Sequence, residues 1–367
     1  MNIPFLDLDA GYRELQAELE EAMLRSLRSG RYIGGAEVEG FEQEFAAYTG
    51  AAHCVALSNG LDALALALRA MGIGPGDEVI VPSNTFIATW FAVSQCGAVP
   101  VPVEPVEATG NIDVARTAAA ITPRTRAIVP VHLYGQPADL DPLRALATQH
   151  GLQVLEDAAQ AHGARYRGRR VGTQGTAAWS FYPGKNLGAF GDAGAVTTDD
   201  AALAGRLRAL RNYGSQTKYV SEVQGGNHRL DPVQAAALRV KLRHLDRWNA
   251  RRVRIAAAYT EGLAASGLAL PAVPGWAEPV WHLYVVRSPQ RDALQQRLAA
   301  EGVETLIHYP IAPHRQQAYA GMGLAVGSLP VAERLASQVL SLPIGPQMAD
   351  AQVAQVLQAV GRAVGGA

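Results

Sequence analysis

The chain has only two cysteines, Cys54 and Cys96, in 367 residues. Both lie in apolar segments, so a disulfide framework or a cysteine metal site is excluded and reduced, buried thiols are expected. Net charge is also missing, because 32 Lys plus Arg balance 33 Asp plus Glu. No basic face is left over for nucleic acid or an anionic membrane. Long hydrophobic runs are lacking too: the most apolar stretch, residues 86–103, is interrupted by Ser94, Gln95, Gly97 and prolines. It falls short of the roughly 20 apolar residues that a membrane span requires. The opening MNIPFLDLDAGYREL has no basic start and carries Asp7 and Asp9 where an apolar block would lie. No export signal is expected, and the chain is placed in the cytoplasm.

What the sequence does have is a hydrophobic content of 49%, enough to bury a large core across two domains. Leu15, Leu19, Met23 and Leu27 recur at four-residue steps over residues 12–29. Val38, Phe41, Phe45 and Tyr48 follow helical spacing, so two amphipathic helices open the chain. Short apolar or β-branched runs follow (His53–Leu57, Glu78–Pro82, Val99–Val103, Ala127–Val131, Gln153–Asp157), separated by helical segments such as Leu61–Met71, Thr85–Cys96 and Leu140–His150. This alternation predicts an α/β fold with a mostly parallel sheet covered by helices on both faces. A further strand pair, Ala177–Tyr182 and Ala193–Thr198, is joined by the glycine-dense PGKNLGAFGDAG. A long basic helical region spans 235–254, and prolines 271, 274 and 279 then mark a linker into a smaller α+β unit. The expected division is a large domain over 1–250, with an N-terminal helical arm over 1–30, and a small domain over 251–367.

The most informative segment is AWSFYPGKNLGAFGDAGAV (178–196), where a buried-looking strand delivers Lys185 at its carboxyl end, the place where α/β sites form. A lysine captures a carbonyl only as a neutral amine, and an apolar aromatic setting favours that form; Phe181, Tyr182 and Phe190 are its candidate suppliers. A solvated loop lysine is the bland alternative. The strand VLEDAAQAH brings Asp157 toward the same edge, where a carboxylate can hold a protonated ring nitrogen, though helix N-capping also explains an Asp there. Ser58-Asn59-Gly60-Leu61 leaves a strand and opens a helix, a phosphate cradle or an ordinary capped turn. Ser180 can add a hydroxyl to the same phosphate. Phe86, after Pro82-Ser83-Asn84-Thr85, can stack on a flat heteroaromatic ring or sit in the core.

These motifs, with RYIGGAEVEGFEQEFAAYTG (31–50), AIVPVHLYGQPADLDP (127–142), EDAAQAHGA (156–164), LRNYG, NHRLDPVQAA and LIHYP (306–310), resemble the DegT-type sugar aminotransferases over nearly the whole chain. That family belongs to the fold type I pyridoxal phosphate (PLP) enzymes. The resemblance implies a mostly parallel seven-stranded sheet, a smaller α+β C-terminal domain and PLP, cycling with its pyridoxamine form, as cofactor. It implies Lys185 as the Schiff-base lysine, Asp157 on the pyridine nitrogen and Gln160 near the ring hydroxyl. Phe86 would stack on the ring, while Gly60, Leu61 and Ser180 bind the phosphate. Asn227 would reach the phosphate of a neighbouring subunit, making a homodimer with shared sites; a mobile surface turn is the local alternative, since Gly225-Gly226-Asn227 suits one.

Two departures refine this resemblance. Members that aminate C4 often read TTGEGG after the lysine and an Arg-Met-Thr form downstream, whereas this chain has NLGAFGDAGA and Arg229-Leu230-Asp231. It looks like the branch that transfers nitrogen from L-glutamate to C3 of a dTDP-linked 3-keto-6-deoxyhexose, with C4 amination of a 4-keto sugar nucleotide as the alternative. Leu61 also stands where threonine is common, so the cradle loses one hydroxyl. Tyr182, Lys218, Tyr219, His308 and Tyr309 are the candidates for the sugar-nucleotide pocket; His308 serves equally as a satisfied interior histidine. A sugar dehydratase of the same fold has histidine in place of the lysine, which Lys185 opposes. A non-enzymatic PLP-binding protein would leave Asp157, Gln160 and Lys185 without a shared purpose.

Overall fold

The computed structural model describes residues 2–365. Seven strands form the central sheet: β1 (His53–Leu57), β2 (Glu78–Pro82), β3 (Val99–Val103), β4 (Thr125–Ile128), β5 (Gln153–Asp157), β6 (Thr176–Ser180) and β7 (Gly194–Thr198). Their spatial order is β1-β7-β6-β5-β4-β2-β3. All neighbours pair in parallel except β7, which runs antiparallel between β1 and β6. The mostly parallel seven-stranded α/β sheet expected from the sequence is therefore present. The expected fourth strand ends early, because Pro130 has no N–H for the ladder; only an isolated bridge joins Val131 to Asp157.

Side chains alternate between the two faces of the sheet. Val55, Leu57, Ala178 and Val196 enter one core, under helices Gly60–Ala70 and Ala88–Gln95. Cys54, Ala56, Ala177, Trp179 and Ala195 enter the other, against Phe41 and Phe45 of helix Ala36–Thr49. Both cysteines are free and buried. Burial on both faces explains why these strands read as continuous apolar runs.

The N-terminal helix is two helices, Leu8–Glu14 and Gln16–Arg28, broken at Leu15. Leu15 and Leu19 pack on Ala236, Ala237 and Val240, but Leu27 is half exposed and Ala22 and Ser26 are buried instead. A strict four-residue step drifts around a helix of 3.6 residues per turn, so the inward positions change along its length. The basic helical region also divides, into Pro232–Leu242 and Leu245–Gly262. The second of these runs unbroken through position 250. Leu245 and Trp248 pack against the large sheet's helices, whereas Ile255, Ala256 and Tyr259 enter a separate C-terminal core around the antiparallel strands Tyr284–Arg287 and Val339–Leu342. Ile3 reaches that same core by pairing with Val303. The proline-rich 271–279 stretch returns to the large unit, where Ala277–Glu278 pairs with Arg165–Tyr166. Among the described residues no helix is long and apolar enough to cross a membrane.

Candidate active site

Because β1, β2, β5 and β6 are parallel, their carboxyl ends open on one edge of the sheet, and a cavity of about 590 Å³ lies there. Lys185, Asp157, Gln160, Ser180, Gly60, Leu61 and Phe86 all line it, as do Tyr182, His308 and Tyr309.

Lys185 follows a tight turn in which its N–H donates to the Tyr182 carbonyl at 2.8 Å. Burial lowers its pKa from 10.5 to about 8, and the nearby charge of Asp157 opposes that shift. The aromatic setting differs from expectation. Phe181 is fully buried on the other side of the sheet against Phe41 and Phe45, and Phe190 packs on Tyr12 and Lys241. Strand alternation explains this: Phe181 and Tyr182 point to opposite sides, and only Tyr182 meets the cavity.

Asp157 is 5% exposed. Its Oδ2 accepts the Thr89 hydroxyl at 2.8 Å and its Oδ1 accepts the Ala159 N–H at 3.2 Å. Burial raises its pKa, against the opposing effect of those two donors and of Lys185. A carboxylate in this state gains from any cation placed beside it, a protonated ring nitrogen included. The Ala159 bond closes a local turn, and no helix begins directly after Asp157, so the helix N-cap expected as its alternative is absent.

The start of helix Gly60–Ala70 supplies the cradle. Asn59 caps it by accepting the Asp62 N–H at 2.8 Å, and the first-turn amides of Gly60 and Leu61 have no place in the helix ladder. Gly60 is required by contact rather than by dihedral: a Cβ there would lie 2.5 Å from the Cβ of Ser180. This closeness puts the Ser180 hydroxyl beside the two amides, a donor set suited to a phosphate.

Phe86 is 52% exposed, which rules out a core role, and its ring lies 5.3 Å from that of Tyr309. Gln160 accepts the Tyr134 N–H at 2.6 Å and donates to the Tyr309 hydroxyl at 3.0 Å. His308 lies 2.8 Å through Nδ1 from the Ser341 hydroxyl, and burial pushes its pKa down to about 4. It is a satisfied histidine that also faces the cavity.

Three expected residues stand apart from this chain's own cavity. Lys218 and Tyr219 occupy the tip of a hairpin between Ser215–Thr217 and Val220–Ser221, with Tyr219 91% exposed, so within one chain they line no sugar pocket. The hairpin pairs only with itself, which leaves its tip in solvent. Asn227 is exposed on a segment bridged to Asn212. Conversely, Thr89, His282, Arg252 and the N-terminal Phe5 and Leu6 line the cavity without having been anticipated. Thr85 and Thr89 did carry a signal, two hydroxyls four residues apart, and they lie 2.9 Å from each other. Phe5 carried none, since it arrives only through pairing near Val303.

Residues 13–361 match the DegT/DnrJ/EryC1/StrS aminotransferase family. The chain belongs to this family. A family relative from Streptomyces venezuelae, a dTDP-3-amino-3,4,6-trideoxy-alpha-D-glucose transaminase, is 59% identical over 360 residues, 98% of this chain and 95% of its own length. A dTDP-3-amino-3,6-dideoxy-alpha-D-galactopyranose transaminase of Aneurinibacillus thermoaerophilus is 52% identical, covering 98% of this chain and 99% of its own. The crystal structure of S. venezuelae DesV in complex with a ketimine intermediate superposes with a TM-score of 0.98 at 58% identity, covering 98% of each chain. The chain is thus an aminotransferase of the sugar-modifying type.

Proposed function

We propose that the protein is a cytoplasmic, homodimeric, PLP-dependent aminotransferase that moves nitrogen from L-glutamate to C3 of a dTDP-linked 3-keto-6-deoxyhexose, giving a dTDP-3-amino-3,6-dideoxyhexose. The observation that carries this reading is the convergence of Lys185 and Asp157 on one cavity beside the Gly60, Leu61 and Ser180 cradle. These residues fit the cofactor: an amine lowered to about 8, a buried carboxylate without a cationic partner within 4 Å among the described residues, and a cradle of amides that a Cβ would fill. When bound, PLP supplies an electron sink for the carbon that exchanges nitrogen.

The chain's own groups do the rest. Gly60, Leu61 and Ser180 hold the phosphate, Phe86 covers the ring, and Asp157 keeps the ring nitrogen protonated. Lys185 Nζ, whose pKa burial lowers to about 8, takes the proton from the donor's α-carbon in its neutral form and later returns one at the sugar carbon. Phe86, Tyr309 and Tyr182 wall the cavity. Regiochemistry at C3 is supported by the two relatives above and by NLGAFGDAGA with Arg229-Leu230-Asp231. The test incubates enzyme, PLP and L-glutamate with matched 3-keto and 4-keto sugar nucleotides and locates the new nitrogen by NMR. Nitrogen at C3 is expected; nitrogen at C4 alone overturns the assignment.

A further inference from the structure

His282 lines the same cavity from just ahead of strand Tyr284–Arg287, and one of its ring nitrogens has nothing to hold. Its Nδ1 lies 3.2 Å from Oδ1 of Asn186, the residue that follows Lys185. Which of the two donates is decided further back. Asn249 donates from Nδ2 to the His162 carbonyl at 2.8 Å, so its Oδ1 must face Asn186. Asn186 in turn donates from Nδ2 to that oxygen at 2.9 Å and to the Val280 carbonyl at 3.0 Å. Carbonyls only accept, so both amides, each buried, have one permitted orientation. The Asn186 oxygen is then the acceptor, and the proton of neutral His282 sits on Nδ1. Its Nε2 is left as a lone pair. That nitrogen makes no hydrogen bond among the described residues and is not closed off, so it opens on the cavity. Burial, reinforced by the nearby charges of Lys185 and Arg252, pushes the pKa well below the ordinary 6.5 and keeps the ring neutral.

We propose that His282 is a specificity residue of the cavity, whose Nε2 accepts a hydrogen bond from a sugar hydroxyl beside the keto carbon. The proposal rests on the sugar-nucleotide aminotransferase reading above and deepens it by naming a group that receives the sugar ring. A lone pair offers nothing to a carboxylate, a phosphate or the keto oxygen, none of which has a proton to give. The amino donor's nitrogen is the atom being transferred, which leaves the hydroxyls of the sugar as partners. An acceptor held rigid by two buried amides selects for such a partner, because a ligand that lacks the hydroxyl leaves Nε2 unpaired.

The test titrates a dTDP-linked 3-keto-6-deoxyhexose, and its 2-deoxy and 4-deoxy forms, into the PLP-loaded enzyme by calorimetry, with no amino donor and hence no turnover. Wild type should bind the parent sugar about tenfold more tightly than one of the two deoxy forms. His282→Asn keeps a donor toward Asn186 but has no atom at the Nε2 position, so that preference should fall to within about twofold. His282→Gln places an amide oxygen near the Nε2 position and should keep a preference of about threefold or more. If only one variant folds it decides alone, Asn by losing the preference or Gln by keeping it. Each ratio compares two ligands on one protein, so a loss of stability alone does not move it. Equal binding of all three sugars by wild type, a preference that survives in His282→Asn, or one that vanishes in His282→Gln overturns the proposal. A surviving preference with a shifted midpoint of PLP uptake would assign Nε2 to Lys185 instead. The transamination reading stands or falls separately, since the NMR experiment follows nitrogen transfer by the unsubstituted enzyme.

Discussion

The hydroxyl of Thr89 donates to Oδ2 of Asp157 at 2.8 Å, and Thr85 stands behind it at 2.9 Å, so the buried carboxylate is held by a short relay of hydroxyls from the loop after β2 and the helix that follows it. In the proposed function a carboxylate free to rotate would lose its aim at the ring nitrogen, and this relay restrains it. Thr89→Val should therefore cost about 1.5–3 kcal/mol of cofactor binding or transition-state stabilisation, the usual range for a hydrogen bond to a charged group. Thr89→Ser should restore most of it. PLP titration and kcat measured side by side check the pair; a silent Thr89→Val variant would remove Thr89 from the site.

Asp157→Asn removes the charge itself and should lower kcat by more than Thr89→Val does, with the fold intact. A neutral amide no longer favours the protonated ring nitrogen. Kinetics and thermal melting of the purified variant check this, and near-normal turnover would take Asp157 out of the cofactor's support.

Lys185→Ala should abolish transamination, a loss on the order of 10³-fold or more, because both the covalent link and the proton carrier disappear. PLP should still bind, since the cradle and Asp157 remain. The pH dependence follows from the lowered pKa. The folded value of about 8 lies below the ordinary 10.5, so burial of the ammonium costs stability below about pH 8, and that cost fades as pH rises from 8 to 10.5. In cofactor-free wild type, the rate of PLP uptake followed by absorbance should rise with a midpoint near 8 rather than near 10.5. A midpoint above 10 would contradict the burial effect.

Gly60→Ala places a methyl group 2.5 Å from Ser180 Cβ and 3.2 Å from its Cα, so strand β6 and the helix that opens at Gly60 must part. Such overpacking costs about 1–3 kcal/mol, and the amides and hydroxyl that form the cradle move with it. A lower melting temperature together with weaker PLP retention is expected. Normal retention at reduced stability would mean that the cradle tolerates the shift.

Much of this site was legible because strand ends are legible: β5 and the segment around Lys185 each announce themselves by an apolar run that stops at a polar residue. Five strands have the bounds the sequence implied to within a residue; the fourth starts two residues earlier and stops before Pro130, which interrupts its ladder, and the sixth ends at Ser180, two residues short of the expected Tyr182. The faces of the sheet were harder to read at a loop start, where Phe181 and Tyr182 look alike in sequence yet only one meets the cavity. Residues contributed by distant chain, Arg252, His282 and Phe5, left no local mark, since their position depends on how the C-terminal core docks on the large sheet. Nor can one chain reveal a use for Lys218, Tyr219 and Asn227, which its own fold leaves in solvent.

Asn227 is the sharpest test of the proposed dimer. Its neighbours are fixed: the His228 carbonyl accepts the Ser58 N–H at 3.0 Å, and His228 Nδ1 lies 2.9 Å from Asp62. The segment is therefore not a mobile turn, and its exposed Asn227 side chain has no role within its own chain's cavity. A two-fold pair would place each Asn227 against the partner's cradle through one self-complementary surface. Asn227→Ala should then weaken PLP retention while leaving melting of the cofactor-free protein unchanged. Mixing Asn227→Ala with Lys185→Ala subunits should yield hybrids in which the one site that keeps Lys185 receives Asn227 from the other chain. That site should retain PLP like wild type. Hybrids that retain PLP no better than Asn227→Ala alone, or an active monomer in ultracentrifugation, would show that each chain builds its site unaided.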